Sequence, residues 1–199
     1  MLQTIIFIGR SGCGKGTQAD LLKERIAHFD EAKRQILYVE TGEHFRKFIR
    51  GESLSSKISK SIYEMDERQP DFLACWMWTN VLIDELEDDM HLVFDGAPRA
   101  LAEAELLTSA MQFYKREKPT VIYINVSRRW SEERLLARGR KDDLNIAKID
   151  KRLDWFERDT MPAVEYFRNN PYYRFFEVNG EQPIEKVHSE IIAAHDYSS

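Results

Sequence analysis

Cysteine is scarce. Cys13 and Cys75 are the two in 199 residues, too few for a disulfide framework. Long apolar runs are missing too, and none reaches the roughly 18 residues that a membrane span needs. His28, His44, His91, His188 and His195 are scattered without ligand spacing, which leaves them structural or surface roles rather than a metal centre. Basic charge is not in excess. A formal net charge of -5 argues against a general nucleic-acid or membrane binder, though not against a local basic groove. Internal repeats, low-complexity tracts and linkers are absent from the sequence. The first apolar run starts at Thr4, which leaves no room for a signal peptide, so a reducing cytoplasm is the expected compartment. What remains is a globular composition, 43% hydrophobic and 32% charged, with enough length for one sizeable α/β domain and hardly two.

The chain is organised around residues 3–18, QTIIFIGRSGCGKGTQ. Thr4-Ile5-Ile6-Phe7-Ile8 is short, apolar and β-branched, which predicts a buried strand. Gly9 ends it, Gly12, Gly14 and Gly16 surround Lys15, and Ala19, Leu21, Leu22, Arg25 and Ile26 follow at helical spacing. Strand, glycine-rich turn and helix in that order make a phosphate cradle. Glycine lets backbone N–H groups turn inward, the helix N-terminus adds partial positive charge, and Lys15 adds a full one. The spacing Gly9-x4-Gly14-Lys15 fits the phosphate-loop pattern, but Gly16 stands where Ser or Thr is expected and Thr17 comes one later. Cys13 lies inside the loop, where sensitivity to oxidation is expected rather than catalysis.

Further strands are expected at 35–39, 91–95, 120–126 and 173–178. Helices are expected at 43–50, 54–67, 70–86, 101–115 and 130–138, with a long one at 144–167 broken or kinked at Pro162 and a last one opened by Pro183. In the helix after Pro70, the run Phe72, Trp76, Val81, Ile83 with Leu82 and Leu86 reads as the buried side, with Trp76 and Trp78 as packing groups. The alternation predicts a five-stranded parallel sheet with helices on both faces. Ligands then belong at the carboxyl ends of the strands. The mostly polar helical stretch 41–69 is expected to be a small insertion that moves against the sheet.

At those strand ends sit charged residues. Asp95 closes an apolar run; alone it reads as a turn-capping Asp before Gly96, but with the phosphate loop upstream it suits water-mediated Mg²⁺. Arg46, Arg99, Arg134, Arg138, Arg140 and Arg152 recur near strand ends, and the planar guanidinium suits phosphate. The basic run from Arg128 to Lys141 reads equally well as a solvated helix face paired through Glu132 and Glu133.

Taken together these motifs resemble the adenylate kinase family over nearly the whole chain. The loop ending Gly14-Lys15-Gly16-Thr17-Gln18, Thr41-Gly42-Glu43-His44-Phe45-Arg46, Asp95-Gly96-Ala97-Pro98-Arg99, Arg134-x3-Arg138, Arg140-Lys141-Asp142-Asp143, Arg152-Leu153 and Val178-Asn179-Gly180 are collinear with that family's motifs. The resemblance implies a P-loop nucleoside monophosphate kinase that moves the γ-phosphoryl of Mg-ATP to a monophosphate, AMP first. It implies that Gly12, Cys13, Gly14, Lys15, Gly16 and Thr17 hold the donor phosphates, with Arg134, Arg138 and Gly180 also on the ATP side. Thr41, Arg46, Gln69, Gly96, Arg99, Glu103, Arg140 and Arg152 would bind the acceptor, Lys15, Arg99, Arg138, Arg140 and Arg152 would carry the transfer, and Thr17 and Asp95 would meet Mg²⁺ through water. Asp142 and Asp143 would orient a lid reduced to residues 138–143, which has no cysteines and hence no zinc, and 41–69 would be the acceptor-binding insertion. Nucleotides are the implied partners, with no nucleic acid, no membrane and a monomeric chain.

Three departures surround the acceptor base. Ala97 replaces an aromatic, Gln69 replaces a Val, and Glu103 stands where adenylate-using relatives carry Gln. A carboxylate only accepts, whereas adenine offers the N6 amine beside the N1 lone pair. GMP, with two neighbouring donors, is therefore the second acceptor, or Glu103 turns to solvent. A kinase for a small metabolite and a nucleotide-binding regulator without turnover are the other readings; the full arginine set argues against the regulator.

Overall fold

The structure, a computed structural model, describes residues 2–65, 67–139 and 145–194. Five strands form one wholly parallel sheet: β1 (Thr4–Ile8), β2 (Ile36–Glu40), β3 (His91–Asp95), β4 (Thr120–Asn125) and β5 (Arg174–Asn179), in the order β2-β3-β1-β4-β5. All five residues of β1 are buried because β1 is central and covered on both faces. Its alternation sorts the core. Ile6 and Ile8 join Leu92, Phe94, Val121 and Trp78 on one face, while Ile5 and Phe7 join Val93, Ile122, Ile124 and Leu22 on the other.

Nine α-helices are described. Helices α1 (Lys15–Phe29) and α9 (Ile184–Ala194) cover the second face through Ala19, Leu22, Ile26, Val187 and Ile191. Helices α4 (Asp71–Glu85), α5 (Leu101–Phe113) and α8 (Met161–Asn169) cover the first through Trp78, Leu82, Leu107, Met111, Val164 and Phe167. Helices α2 (Thr41–Phe48) and α3 (Leu54–Glu64) lie between β2 and α4, with no strand between them. Helices α6 (Arg128–Arg138) and α7 (Ile146–Trp155) pack through Leu135, Ile149 and Leu153. Arg128 staples them, reaching Asp154 Oδ1 at 2.7 Å and Asp150 Oδ1 at 3.0 Å.

Three expectations need correction. Helix α2 begins at Thr41, directly on β2, where Thr41-Gly42-Glu43 read as a break. On α4 the buried side is Leu73, Ala74, Met77, Trp78, Val81 and Leu82, whereas Phe72 and Ile83 are 74% and 73% exposed. That helix is apolar nearly all round, so spacing alone does not choose a face; half-exposed Trp76 packs on Phe48, ring centroids 5.7 Å apart. The long helix expected at 144–167 is interrupted not at Pro162 but by a π-helical turn, Phe156–Thr160, where the Met161 N–H reaches back to the Phe156 carbonyl. Pro162 falls in the first turn of α8, directly after that π turn. The expected lid residues Arg140, Lys141, Asp142 and Asp143 lie outside the described residues.

At the amino end of the sheet a buried cluster ties strand to helix. His91, 1% exposed, accepts the Gln3 N–H at Nδ1 (3.0 Å) and turns Nε2 towards Asp30 Oδ2 at 3.6 Å. Burial pushes the imidazole below its usual pKa, with Asp30 opposing. A histidine whose folded pKa lies below its unfolded value of about 6.5 makes the unfolded state the stronger proton binder, so stability falls as pH drops through that range. Thermal unfolding between about pH 7.5 and pH 5.5 should show a falling Tm, and His91→Asn, which keeps an acceptor for Gln3, should flatten the slope. Identical slopes in both proteins would contradict the assignment.

Candidate active site

The sheet order reverses at β1, which lies between β3 and β4, and the loops after β1 and β3 open there into a cavity of about 970 Å³. On its floor is the turn into α1. Gly14 precedes the helix at φ 99°, a left-handed backbone that suits glycine, and a Cβ there would meet nothing within 4 Å, so the position faces open space. No side chain caps α1, and its first backbone bond runs from Gln18 N to Gly14 O. The N–H groups of Lys15, Gly16 and Thr17 therefore stand at an uncapped helix N-terminus on the cavity wall, a ready anion site. The Lys15 ammonium folds over the loop and donates to the carbonyls of Gly9 (2.7 Å) and Arg10 (3.0 Å).

Asp95 ends β3 one strand away, in register with Phe7 of β1 and Glu40 of β2. A Cβ on Gly16 would lie 3.5 Å from Asp95 Oδ2, ordinary van der Waals contact, which places the carboxylate beside the loop. Tyr38 donates its hydroxyl to the same oxygen at 3.1 Å; burial, then the Asp95 charge, push the phenol's pKa up and keep it a donor. Asp95 and the exposed Thr17 hydroxyl both line the cavity beside the cradle. That donor set fits a Mg²⁺ held chiefly by substrate phosphates and water. Among the described residues no cluster of three or more His, Cys, Asp or Glu forms an all-protein metal site.

Beyond Asp95 the cavity runs under α2. Thr41 is buried on its wall, and its hydroxyl has no hydrogen-bond partner among the described residues, as a group awaiting a ligand would. Arg46 is held by Glu40 Oε1 at 3.0 Å. Arg99 donates from Nε to Gly96 O (2.7 Å), and its own carbonyl accepts the Thr160 hydroxyl (2.9 Å). Glu103 does not turn to solvent. It is 2% exposed, with Oε1 3.0 Å from Arg68 Nη2. Gln69 lines the cavity, and its amide also pairs with α3, accepting from Ser59 Oγ (2.8 Å) and donating to Ser59 O (3.0 Å).

From the other side come α6 and α7. Arg134, Arg138, Lys148, Arg152, Trp155 and Phe156 line the wall opposite α2, with Arg134 stacked 5.4 Å from the Trp130 ring centroid. Arg128 and Arg129 pair instead with Glu132 and Glu133, so the basic run is both a solvated face and a cavity wall. Lys151 crosses to the residues that follow α3, donating to Met65 O (3.2 Å) and Glu67 Oε1 (3.3 Å). Eight cationic side chains and five carboxylates line one cavity, a local excess of positive charge in an acidic protein.

Two site residues read from sequence stand apart from the cavity. The Cys13 thiol is buried in the core behind the loop, 3.6 Å from Lys15 Nζ, away from the exposure that oxidation requires. Gly180 is buried beside β4, where a Cβ would meet Ile124 Cγ2 and Val126 Cγ1 at 2.6 Å, so close packing accounts for this glycine. Arg140 lies outside the described residues. Sequence reasoning missed Arg10, Tyr38, Arg68, Lys148 and Trp155. Arg10 braces the loop, donating to Val126 O (2.8 Å) and Glu157 (3.3 Å) and lying 4.7 Å over the Phe156 ring of the π turn. Only its place beside the glycines signalled it.

Comparison with known proteins agrees with this geometry. The family model described as adenylate kinase matches residues 7–172. The adenylate kinase of Flavobacterium psychrophilum is 32% identical over 187 residues, spanning 92% of this chain and 93% of that protein. Those of Oenococcus oeni and Prochlorococcus marinus are each 29% identical, over 91% and 96% of this chain and 92% and 97% of their own. An uncapped phosphate cradle, a cavity lined with arginines and a match over most of the chain lead to one conclusion: the chain belongs to the adenylate kinase family of phosphotransferases.

Proposed function

We propose that this protein transfers the γ-phosphoryl group of Mg-ATP to AMP, giving two ADP. The observation that carries this is a single cavity lined by an uncapped helix N-terminus and by Arg46, Arg99, Arg138 and Arg152 together. Such a cavity suits two phosphate chains brought end to end. A pure binder of one nucleotide needs fewer cations.

In this reading the α1 amides and Lys15 hold the donor's β- and γ-phosphates. Lys15 leaves its loop carbonyls to do so, exchanging two neutral acceptors for charged ones. Arg46 and Arg99 clamp the acceptor phosphate, whose own oxygen attacks the γ-phosphorus as the bond to the β-bridging oxygen breaks and ADP departs. No side chain need take a proton, because the attacking oxygen is already ionised. Arg138 and Arg152 meet the charge on the transferring group, and the work is positioning and charge stabilisation. Thr17 and Asp95 would hold Mg²⁺ through water, and the ion would supply positive charge beside the phosphates. Residues 41–69 serve as the acceptor-binding insertion and 138–143 as a minimal lid; Gln69 lines the acceptor side with its amide braced on Ser59. The protein acts as a monomer in the cytoplasm. Among the described residues no helix is long and apolar enough to cross a membrane.

A coupled assay of ADP formation with ATP and each of AMP, GMP, CMP and UMP tests the reaction. AMP should give the highest kcat/KM; no turnover with any monophosphate would overturn the reading. The arginines are tested separately. Arg138→Ala or Arg152→Ala should lower kcat by at least about a hundredfold with Tm little changed, as loss of a preorganised charge does. Near-wild-type kcat in either variant would remove that arginine from the transfer.

A further inference from the structure

An ion pair that the transfer itself does not use lines the same cavity as Arg46 and Arg99. Arg68, in the loop between α3 and α4, donates from Nη2 to Glu103 Oε1 at 3.0 Å and to Asp71 Oδ1. Glu103 sits in the first turn of α5 and is 2% exposed, yet both residues line the cavity. Burial raises the Glu103 pKa, and Arg68 and then Arg99 pull it back. Among the described residues both of Arg68's hydrogen bonds leave from Nη2, so Nη1 and Nε remain as donors. The neighbouring amide that would offer donor and acceptor together, Gln69, is already paired with Ser59.

We propose that Arg68 is a specificity-determining residue which, paired to Glu103, presents a donor beside an acceptor to the edge of the acceptor base. The proposal rests on the AMP reading above. Adenine needs both groups. Its N1 lone pair must meet a donor and its N6 amine an acceptor, and Glu103 alone would set a carboxylate against N1. With Arg68 beside it, the guanidinium donates to N1 while Glu103 accepts from N6, and two charged side chains do the work of one amide. Guanine presents two neighbouring donors, N1–H and the N2 amine, which a lone carboxylate pairs with unaided. Arg68 is thus the residue that tips the pocket from guanine to adenine. A pair that merely holds the loop against α5 would instead affect every base alike.

The test is kcat/KM for AMP and for GMP, with ATP as donor, in wild type, Arg68→Met and the double variant Arg68→Met/Glu103→Gln. Arg68→Met should lower the AMP-to-GMP ratio about tenfold or more, through a raised KM for AMP, because a site left without its partner group discriminates against that base. The double variant should return the ratio to within about threefold of wild type, since an amide supplies both groups. An unchanged ratio in Arg68→Met, or equal losses for both bases, would overturn the proposal. Removing one partner of a buried pair also destabilises. If Arg68→Met does not fold, the double variant, which keeps no charge at either position, decides: AMP preference near wild type supports the proposal, and a tenfold loss of it overturns it. A wild type that uses GMP and not AMP would overturn the AMP reading, and this proposal with it, before any variant is compared.

Discussion

An α-helix that begins without a side-chain cap leaves backbone N–H groups in need of an acceptor, and the rest of this protein is arranged around that need at α1. The buried central strand β1 aims the helix from the middle of the sheet, at the point where the strand order reverses. A left-handed Gly14 turns the chain without placing a side chain in front of the amides. Asp95 and Tyr38 come up beside the same opening because β2, β3 and β1 end in register. A concentration of partial positive charge is thereby made part of the fold instead of being neutralised by it.

The same logic extends outward. Three cations of the cavity are held by groups that a phosphate can outcompete: Lys15 by two carbonyls, Arg46 by one partly exposed carboxylate, Arg99 by a carbonyl. The charges farther from the cavity are more firmly occupied. Arg128 binds carboxylates of α7, which pushes its pKa up, and Arg10 is locked between β4 and the π turn. Those pairs lie outside the cavity lining, whereas the three loosely held cations line it. The π turn belongs to the same frame, since Phe156 lies under Arg10 and Thr160 holds the backbone of Arg99.

The sheet was legible in the sequence because parallel strands buried on both faces read as unbroken apolar runs, and Thr4–Ile8 and His91–Asp95 fall where the pattern puts them. The cradle was legible because its glycines are required by local backbone geometry. The face of α4 was not, because Phe72 and Ile83 are as apolar as the Leu73 and Leu82 that are buried. Nor was the pairing of Glu103, whose partner Arg68 is 35 residues earlier and belongs to no local pattern. Gln69 lines the cavity, but its pairing with Ser59, ten residues earlier, could not be read from sequence. Local constraints leave a record in sequence; partners brought together by the tertiary fold leave none.

The central claim is that one continuous cavity receives both nucleotides, with their phosphates meeting over α1. A single molecule carrying two adenosines joined by a pentaphosphate tests this by titration calorimetry and inhibition kinetics. The account predicts binding at one molecule per chain and inhibition competitive with ATP and with AMP alike. Competition with only one of the two, or binding no tighter than ATP alone, would contradict it.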